Sequence, residues 1–206
     1  MQYWQLDVFA ERPLAGNGLA VFDDARGLSA SAMQGLTQEL RQFESIFLLP
    51  GGTADTFSAR IFTAEEELPF AGHPIIGAAA LLHHLHSPAE HADWQLQLTA
   101  KTVQIHTQRL AQGFYAEMDQ GVAEFGAQLS AAQAAEFASA FGLDHDEQDL
   151  RYPATVVSTG LPYVLLPVTG AGLAKAKQRR ALDLELLACG AAFVFLLDID
   201  AREGRT

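Results

Sequence analysis

An uninterrupted apolar helix is the feature that most restricts the fold of this 206-residue chain. Residues 74–82 read PIIGAAALL, so no position around the helix axis carries a polar side chain. Pro74 suits the first helical position, where its missing N–H would have no partner anyway. A helix that is apolar on every side must be enclosed on every side. In a strand-rich chain, we expect a curled sheet to wrap around it.

Short apolar and alternating segments on both sides of this helix predict strands. They lie at residues 3–9, 19–22, 45–50, 56–62, 94–106 and 113–118. Helices are predicted from a Ser29 cap through residue 43 and again around 181–189. Residues 121–140 are polar and rich in alanine, and we interpret them as a separator. Strands outnumber helices and the connections are too short for regular crossovers, so the prediction is a mostly antiparallel α+β fold.

The two halves of the chain resemble each other, which indicates an internal duplication. GNGLAVF near the start is similar to GLPYVLL, with Gly16 matching Gly160. A loop, a helix and a similar strand follow each of them, IFLL in one case and VFLL in the other. We therefore predict two similar domains, over residues 1–120 and 121–206. A counterpart of His73 would fall beyond the last residue, so we expect the second domain to be incomplete.

Charge and composition exclude several classes of function. Thirteen Lys and Arg residues against 25 Asp and Glu residues give a net charge of −12. A chain this acidic repels phosphate backbones and anionic lipid, which argues against nucleic-acid binding. No segment reaches the roughly 18 consecutive apolar residues of a membrane span, and no secretory signal is visible. We expect a cytoplasmic protein. Its single cysteine, Cys189, excludes an internal disulfide and is interpreted as a buried apolar side chain.

The start of the apolar helix is a candidate ligand site. Backbone N–H groups near Gly72, His73 and Ile75 would lack helical partners and carry positive partial charge. Gly72 would leave room for a ligand to approach the main chain. Such a place can bind a carboxylate. The alternative is a tight turn in which His73 caps the helix and no ligand binds.

Glu44 is a candidate proton carrier. The segment FESIFLL places its carboxylate among Phe43, Ile46 and Phe47, where a strand enters the core. An unpaired charge there would cost several kcal/mol, so Glu44 must be paired, face a cavity or hold a proton near neutral pH. Burial raises the pKa of a carboxyl group, which can then both accept and return a proton. The alternative is a glutamate at a helix end that pairs with Arg41.

Four segments together resemble the PhzF-like phenazine-biosynthesis family over essentially the whole chain. They are GNGLAVF, RQFESIFLL, ARIFTAEEELPFAGHPIIGAAALL and VSTGLPYVLLPV. The resemblance implies a fold like that of diaminopimelate epimerase, with two similar β-barrels, each around a central helix, and the active site between them. It also implies a homodimer and a small-molecule substrate.

The resemblance further implies an isomerase that uses neither a metal nor an organic cofactor. The best-known family reaction converts trans-2,3-dihydro-3-hydroxyanthranilate, with a glutamate moving a proton between ring carbons. Glu44 stands at the position of that glutamate. His73 and Gly72 match the segment that lines the site, and Asn17 matches an asparagine in the family's Gly-Asn-Pro turn. In related epimerases each half supplies one acid/base residue, whereas here Ala192 lies opposite Glu44 and Cys189 lies three residues away.

The chain departs from the family pattern in three places. Gly18 replaces the usual proline and Phe43 replaces a frequent serine, so we expect a different substrate pocket. Family members also continue into an Asp-Pro and Thr-Gly-Ser segment with further catalytic residues, so we interpret the chain as truncated or a fragment.

Two other readings compete with the isomerase. An inactive fragment or a non-catalytic small-molecule-binding homologue would share the fold. A metal site at His83, His84, His86 and His91 would need a standard ligand spacing, which the segment HHLHSPAEH does not have. We therefore predict no metal site there.

Overall fold

The computed structural model of the chain describes residues 2–200. It contains two compact units, Met1–Gln120 and Gly121–Thr206. The first unit comprises β1 (Trp4–Val8), β2 (Asn17–Phe22), α1 (Ala30–Leu40), β3 (Glu44–Pro50), β4 (Thr56–Thr63), β5 (Glu67–Leu68), α2 (Gly72–His86), β6 (His91–Gln97), β7 (Thr102–Arg109) and β8 (Phe114–Asp119). The second comprises β9 (Glu124–Gln128), α3 (Ala131–Ala140), a 3₁₀ turn (His145–Glu147), β10 (Thr155–Ser158), β11 (Pro162–Pro167), α4 (Gly170–Lys175), α5 (Asp183–Cys189) and β12 (Phe193–Leu197).

The sheet of the first unit is organised around α2. Its strands follow the order β1-β2-β3-β4-β6-β7-β8, and β5 pairs with β4. The β2–β3 and β4–β6 pairs are parallel, and the other pairs are antiparallel. Helix α2 contacts both end strands of this path, β1 and β8, as well as β2, β3, β6 and β7. The predicted enclosure of the apolar helix is therefore confirmed, although within residues 2–200 no hydrogen-bonded ladder joins β1 to β8.

Gly77 allows the sheet to approach α2 closely. A β-carbon at this position would lie 2.5 Å from Leu19 Cδ2 and 2.8 Å from Val8 Cγ2. Both distances are shorter than any ordinary van der Waals contact. The side chains of β1 and β2 therefore pack against the helix backbone itself.

Helix α1 covers the opposite face of the same sheet. The Ser29 side chain accepts a hydrogen bond from Ala32 N, which confirms the predicted N-cap. The helix ends at Leu40, earlier than expected, because Arg41 adopts the left-handed conformation with φ 52°. An apolar cluster lies beneath α1, and its buried members are Ala20, Phe22, Ala25, Met33, Phe47 and Phe62.

The second unit is a four-stranded sheet with helices packed on one face. Its order is β12-β11-β10-β9, with β11–β12 parallel and the other pairs antiparallel. The interpretation of residues 121–140 as a separator is wrong, because they form β9 and α3. Ser130 and Gln133 make a reciprocal capping box at the start of α3. Together with the first unit, this sheet confirms a mixed α+β architecture.

The two units share one order of strand pairing. In the first, β1–β2 is antiparallel and β2–β3 is parallel; in the second, β10–β11 is antiparallel and β11–β12 is parallel. Val164 and Leu166 of β11 are buried in the apolar cluster of the second unit. Phe193 and Phe195 of β12, in contrast, are 49% and 38% exposed.

No helix in the part of the chain that the structure describes is both long enough and apolar enough to cross a membrane.

Candidate active site

Glu44 and His73 meet at the start of α2. Glu44 is the first residue of β3, and His73 is the second residue of the helix. His73 Nδ1 lies 3.1 Å from Glu44 Oε2, and the two side chains are only 10% and 8% exposed. Although 29 positions separate them in the sequence, packing of α2 against β3 brings them together. A buried acid and a buried imidazole in contact can accept and return protons.

Burial moves both groups toward their neutral forms. It raises the pKa of Glu44 to about 7, because a charged carboxylate loses its hydration there. It lowers the pKa of His73, and a hydrogen bond between the ring and the Gly18 backbone opposes this effect. Near neutral pH, His73 is therefore neutral, and Glu44 is divided between its two protonation states. The contact is not a stable pair of opposite charges.

Two polar atoms of this pair are left without hydrogen-bond partners. Glu44 Oε2 and His73 Nε2 are buried, and within residues 2–200 neither atom makes a hydrogen bond. The 3.1 Å approach between Glu44 and His73 therefore lacks the orientation of a hydrogen bond. Unsatisfied buried polar atoms are costly, so each one in a native protein requires an explanation, and a role in binding or catalysis is one such explanation.

The first turn of α2 adds backbone donors beside the pair. Its N-cap, Ala71, has no side chain that can accept a hydrogen bond, and the helix begins at Gly72. Pro74 is therefore the third helical residue, not the first as predicted. The N–H groups of Gly72 and His73 have no carbonyl partner one turn earlier in the helix, whereas Ile75 lies one turn after the N-cap Ala71. A β-carbon at Gly72 would meet no atom within 4 Å, so space is open at this end.

Asn17 lies on β2, the strand that pairs with β3, and it is exposed. It is the first residue of β2 and comes two positions before Leu19, which pairs with Glu44. Within residues 2–200, the Asn17 side chain makes no hydrogen bond or ion pair with Glu44 or His73. Its predicted substrate contact stays a prediction.

Two expectations about the surroundings of Glu44 need correction. Phe43 is 78% exposed, so it does not contribute to the apolar environment of the carboxylate. The alternative pairing with Arg41 is also wrong. No ion pair joins Arg41 to Glu44 in the described part of the chain, and Arg41 instead ends α1.

Sequence reasoning missed the part played by Gly18 and Gln42. A hydrogen bond connects the backbone of Gly18 to the ring of His73. The Gln42 amide oxygen lies 2.9 Å from where a β-carbon on Gly18 would be. In the sequence, Gly18 is notable only as a departure from the family pattern. Nothing in the local sequence around Gln42 indicates that its amide lies against Gly18.

The histidines at the other end of α2 have structural contacts. His83 is fully buried; its Nδ1 lies 2.8 Å from Thr107 Oγ1, and its Nε2 lies 2.9 Å from the Ala89 carbonyl oxygen. Across residues 2–200, no group of three or more His, Cys, Asp or Glu side chains is arranged to hold a metal ion. His83 is thus a core residue with two polar partners.

The second unit carries a different residue at the position of Glu44. Leu19 pairs with Glu44, and the matching residue Tyr163 pairs with Phe193. The residue of the second unit that corresponds to Glu44 is therefore Phe193, and not Ala192 as predicted. Cys189 is half-buried, not fully buried as expected, and its Sγ donates to the Leu186 carbonyl at 3.3 Å.

Comparisons with known proteins give consistent matches. The family model for phenazine biosynthesis-like proteins matches residues 6–203. A solved structure of a predicted epimerase from Pseudomonas aeruginosa is 60% identical, with a TM-score of 0.89, and the match covers 96% of this chain and 70% of that chain. An uncharacterized isomerase of Mesorhizobium japonicum is 34% identical over 168 residues, which are 81% of this chain and 55% of that protein.

A relative with a named reaction matches a shorter segment. The trans-2,3-dihydro-3-hydroxyanthranilate isomerase of Pseudomonas chlororaphis is 45% identical over 80 residues, which are 39% of this chain and 29% of that protein. By these alignments, the chain spans about half the length, or less, of the curated relatives it matches.

Proposed function

Because this chain belongs to the family of phenazine biosynthesis-like proteins, we propose that it is a PhzF-type isomerase. Its substrate would be a small cyclic carboxylic acid similar to trans-2,3-dihydro-3-hydroxyanthranilate. Glu44 would move one proton between two carbon atoms of that substrate. The observation that supports this proposal most strongly is the buried contact between Glu44 and His73, with the pKa of Glu44 raised to about 7.

The reaction is a proton transfer with one carboxyl group. The Glu44 carboxylate removes a proton from a carbon next to the unsaturated system, and the electron pair of that C–H bond becomes delocalised. The same carboxyl group then returns the proton to a different carbon, so no atom is gained or lost. A group whose pKa lies near the working pH suits both steps. This reaction requires no oxidant, reductant or metal ion.

The surrounding groups would hold the substrate and its anion. The free N–H groups at Gly72 and His73 suit a substrate carboxylate, because a helix N-terminus carries positive partial charge. Neutral His73 would pack beside Glu44 and use its unpartnered Nε2 to bind the substrate. Asn17 would contribute a polar contact from β2.

Hydrogen exchange at carbon tests this function. We would incubate the chain with trans-2,3-dihydro-3-hydroxyanthranilate in D₂O and follow deuterium at the ring carbons by NMR. Glu44→Gln should reduce exchange at least about 100-fold, the usual contribution of a general acid/base group. Glu65→Gln, which changes an exposed glutamate in the same way, should exchange at the wild-type rate.

Each outcome of this experiment has a definite meaning. Equal exchange by wild type and Glu44→Gln would remove Glu44 from the proposed role. Binding of the substrate without exchange by the wild type would identify a non-catalytic binding protein of the same fold. Homodimer formation, barrel closure and a cytoplasmic location also belong to the proposal, and analytical ultracentrifugation tests the first of them.

A further inference from the structure

Gln42 occupies an unusual position between α1 and β3. It is half-buried, whereas its two neighbours, Arg41 and Phe43, are exposed. The chain is turning here, because Arg41 has just ended α1 in the left-handed conformation. A half-buried polar side chain between two exposed ones points partly toward the protein.

Contacts connect Gln42 to the proposed acid/base pair. Its amide oxygen lies 2.9 Å from the place of an absent β-carbon on Gly18, so it occupies space that most residues at position 18 would fill. The Gly18 backbone is bonded to the His73 ring, and that ring contacts Glu44. Gln42 therefore lies within a continuous group of residues around the candidate site.

The amide of Gln42 has hydrogen-bonding capacity to spare. Within residues 2–200, its side chain makes no hydrogen bond. A glutamine amide offers an accepting oxygen and a donating NH₂ group. This combination suits a neutral hydroxyl or amino substituent, whereas a carboxylate is better matched by the N–H groups at the start of α2.

We propose that Gln42 is a specificity-determining residue, whose amide binds a hydroxyl or amino substituent of the substrate beside Gly18. This role rests on the proposed isomerase function, because the substituent must belong to a molecule bound at Glu44 and His73. Gln42 takes no part in the proton transfer. Its effect should therefore appear in substrate choice and binding, while the chemical step stays nearly unchanged.

Binding of three aromatic acids tests this role. The probes are 3-hydroxyanthranilate, anthranilate, which lacks the hydroxyl group, and 3-hydroxybenzoate, which lacks the amino group. By isothermal titration calorimetry, the wild type should prefer 3-hydroxyanthranilate over at least one of the other two by about tenfold, as expected for one hydrogen bond. Gln42→Leu, which keeps the size but removes the polar atoms, should reduce this preference to less than twofold.

A second variant and a melting-temperature measurement separate a role in binding from a purely structural role of Gln42. Gly18→Ala keeps the Gln42 amide but places a methyl group in its space, so it should also weaken the preference. A change in preference with an unaltered melting temperature would exclude a purely structural role. Retention of the wild-type preference by Gln42→Leu would overturn the inference while leaving the isomerase intact. Failure of the wild type to bind any probe would overturn the proposed function and, with it, the role of Gln42.

Discussion

Replacing Glu44 with glutamine should change the pH dependence of stability. The free energy of unfolding of the variant, relative to that of the wild type, should be higher at alkaline pH than at acidic pH. The unfolded glutamate has a pKa near 4.5, whereas burial raises the pKa of Glu44 to about 7 in the folded protein. Between these values the folded state binds more protons than the unfolded state. The free energy of unfolding of the wild type therefore falls as the pH rises through this window.

The size of this effect follows from the two pKa values. Each pKa unit corresponds to about 1.4 kcal/mol, so the full window is worth about 3 kcal/mol. Glutamine does not titrate, and the variant therefore escapes this loss. The difference in unfolding free energy between variant and wild type should rise by about 3 kcal/mol between pH 4.5 and pH 8.5. For a unit of this size, that corresponds to about 10 °C in melting temperature.

Urea denaturation at several pH values would measure this difference. The lowered pKa of His73 makes both proteins less stable as the pH falls below the usual histidine range, and this contribution largely cancels in the comparison. The exposed substitution Glu65→Gln provides the baseline and should show no such trend. A stability difference for Glu44→Gln that stays constant from pH 4.5 to 8.5 would refute the raised pKa and the burial that explains it.

Three further predictions concern α2, β3 and the acid/base group. Gly77→Ala should destabilise the first unit by about 1–3 kcal/mol, because its methyl group would overlap Leu19 and Val8. Thermal denaturation measures this loss, and Gly72→Ala is the control, because a methyl group at position 72 meets open space. Ser45→Ala should stabilise by about 1 kcal/mol in urea, since the Ser45 hydroxyl is buried and makes no hydrogen bond within residues 2–200. Deuterium exchange should rise with pH and level off above about 7, as Glu44 loses its proton; a flat profile would contradict its role as the base.

The enclosed helix and the buried carboxyl group of Glu44 were predictable because each departs from a simple expectation. A segment with no polar face cannot lie on a surface, so α2 had to be surrounded. A single carboxylate in an apolar strand also requires an explanation, which directed attention to Glu44. The start of α2 was misplaced by two residues because Pro74 is tolerated throughout the first turn. The residue four positions earlier, Phe70, lies outside the helix, so the proline ring meets no helical carbonyl.

Other elements and contacts could not be predicted, because their local sequences lack the usual signals of a strand, a helix or a site. Strand β9 is exposed along its whole length and shows no alternation between buried and exposed residues. Helix α4 begins in the sequence TGAG, which favours a loop, yet Thr169 caps it and accepts a hydrogen bond from Gly172 N. Gln42 could not be identified at all. Its contact with Gly18 joins residues from β2 and the α1–β3 turn, and only the three-dimensional packing brings them together.

The duplicated strand plan separates what the fold requires from what the chemistry requires. Both units keep the same sequence of antiparallel and parallel pairing, so that arrangement serves the fold. At the matched register position, however, the first unit has buried Glu44 and the second has half-exposed Phe193. A carboxyl group is therefore not needed to build this sheet, and its burial in the first unit carries a cost in stability. A costly group that the fold does not need is best explained by a function that does need it. One such carboxyl group is enough to move a proton within a single substrate.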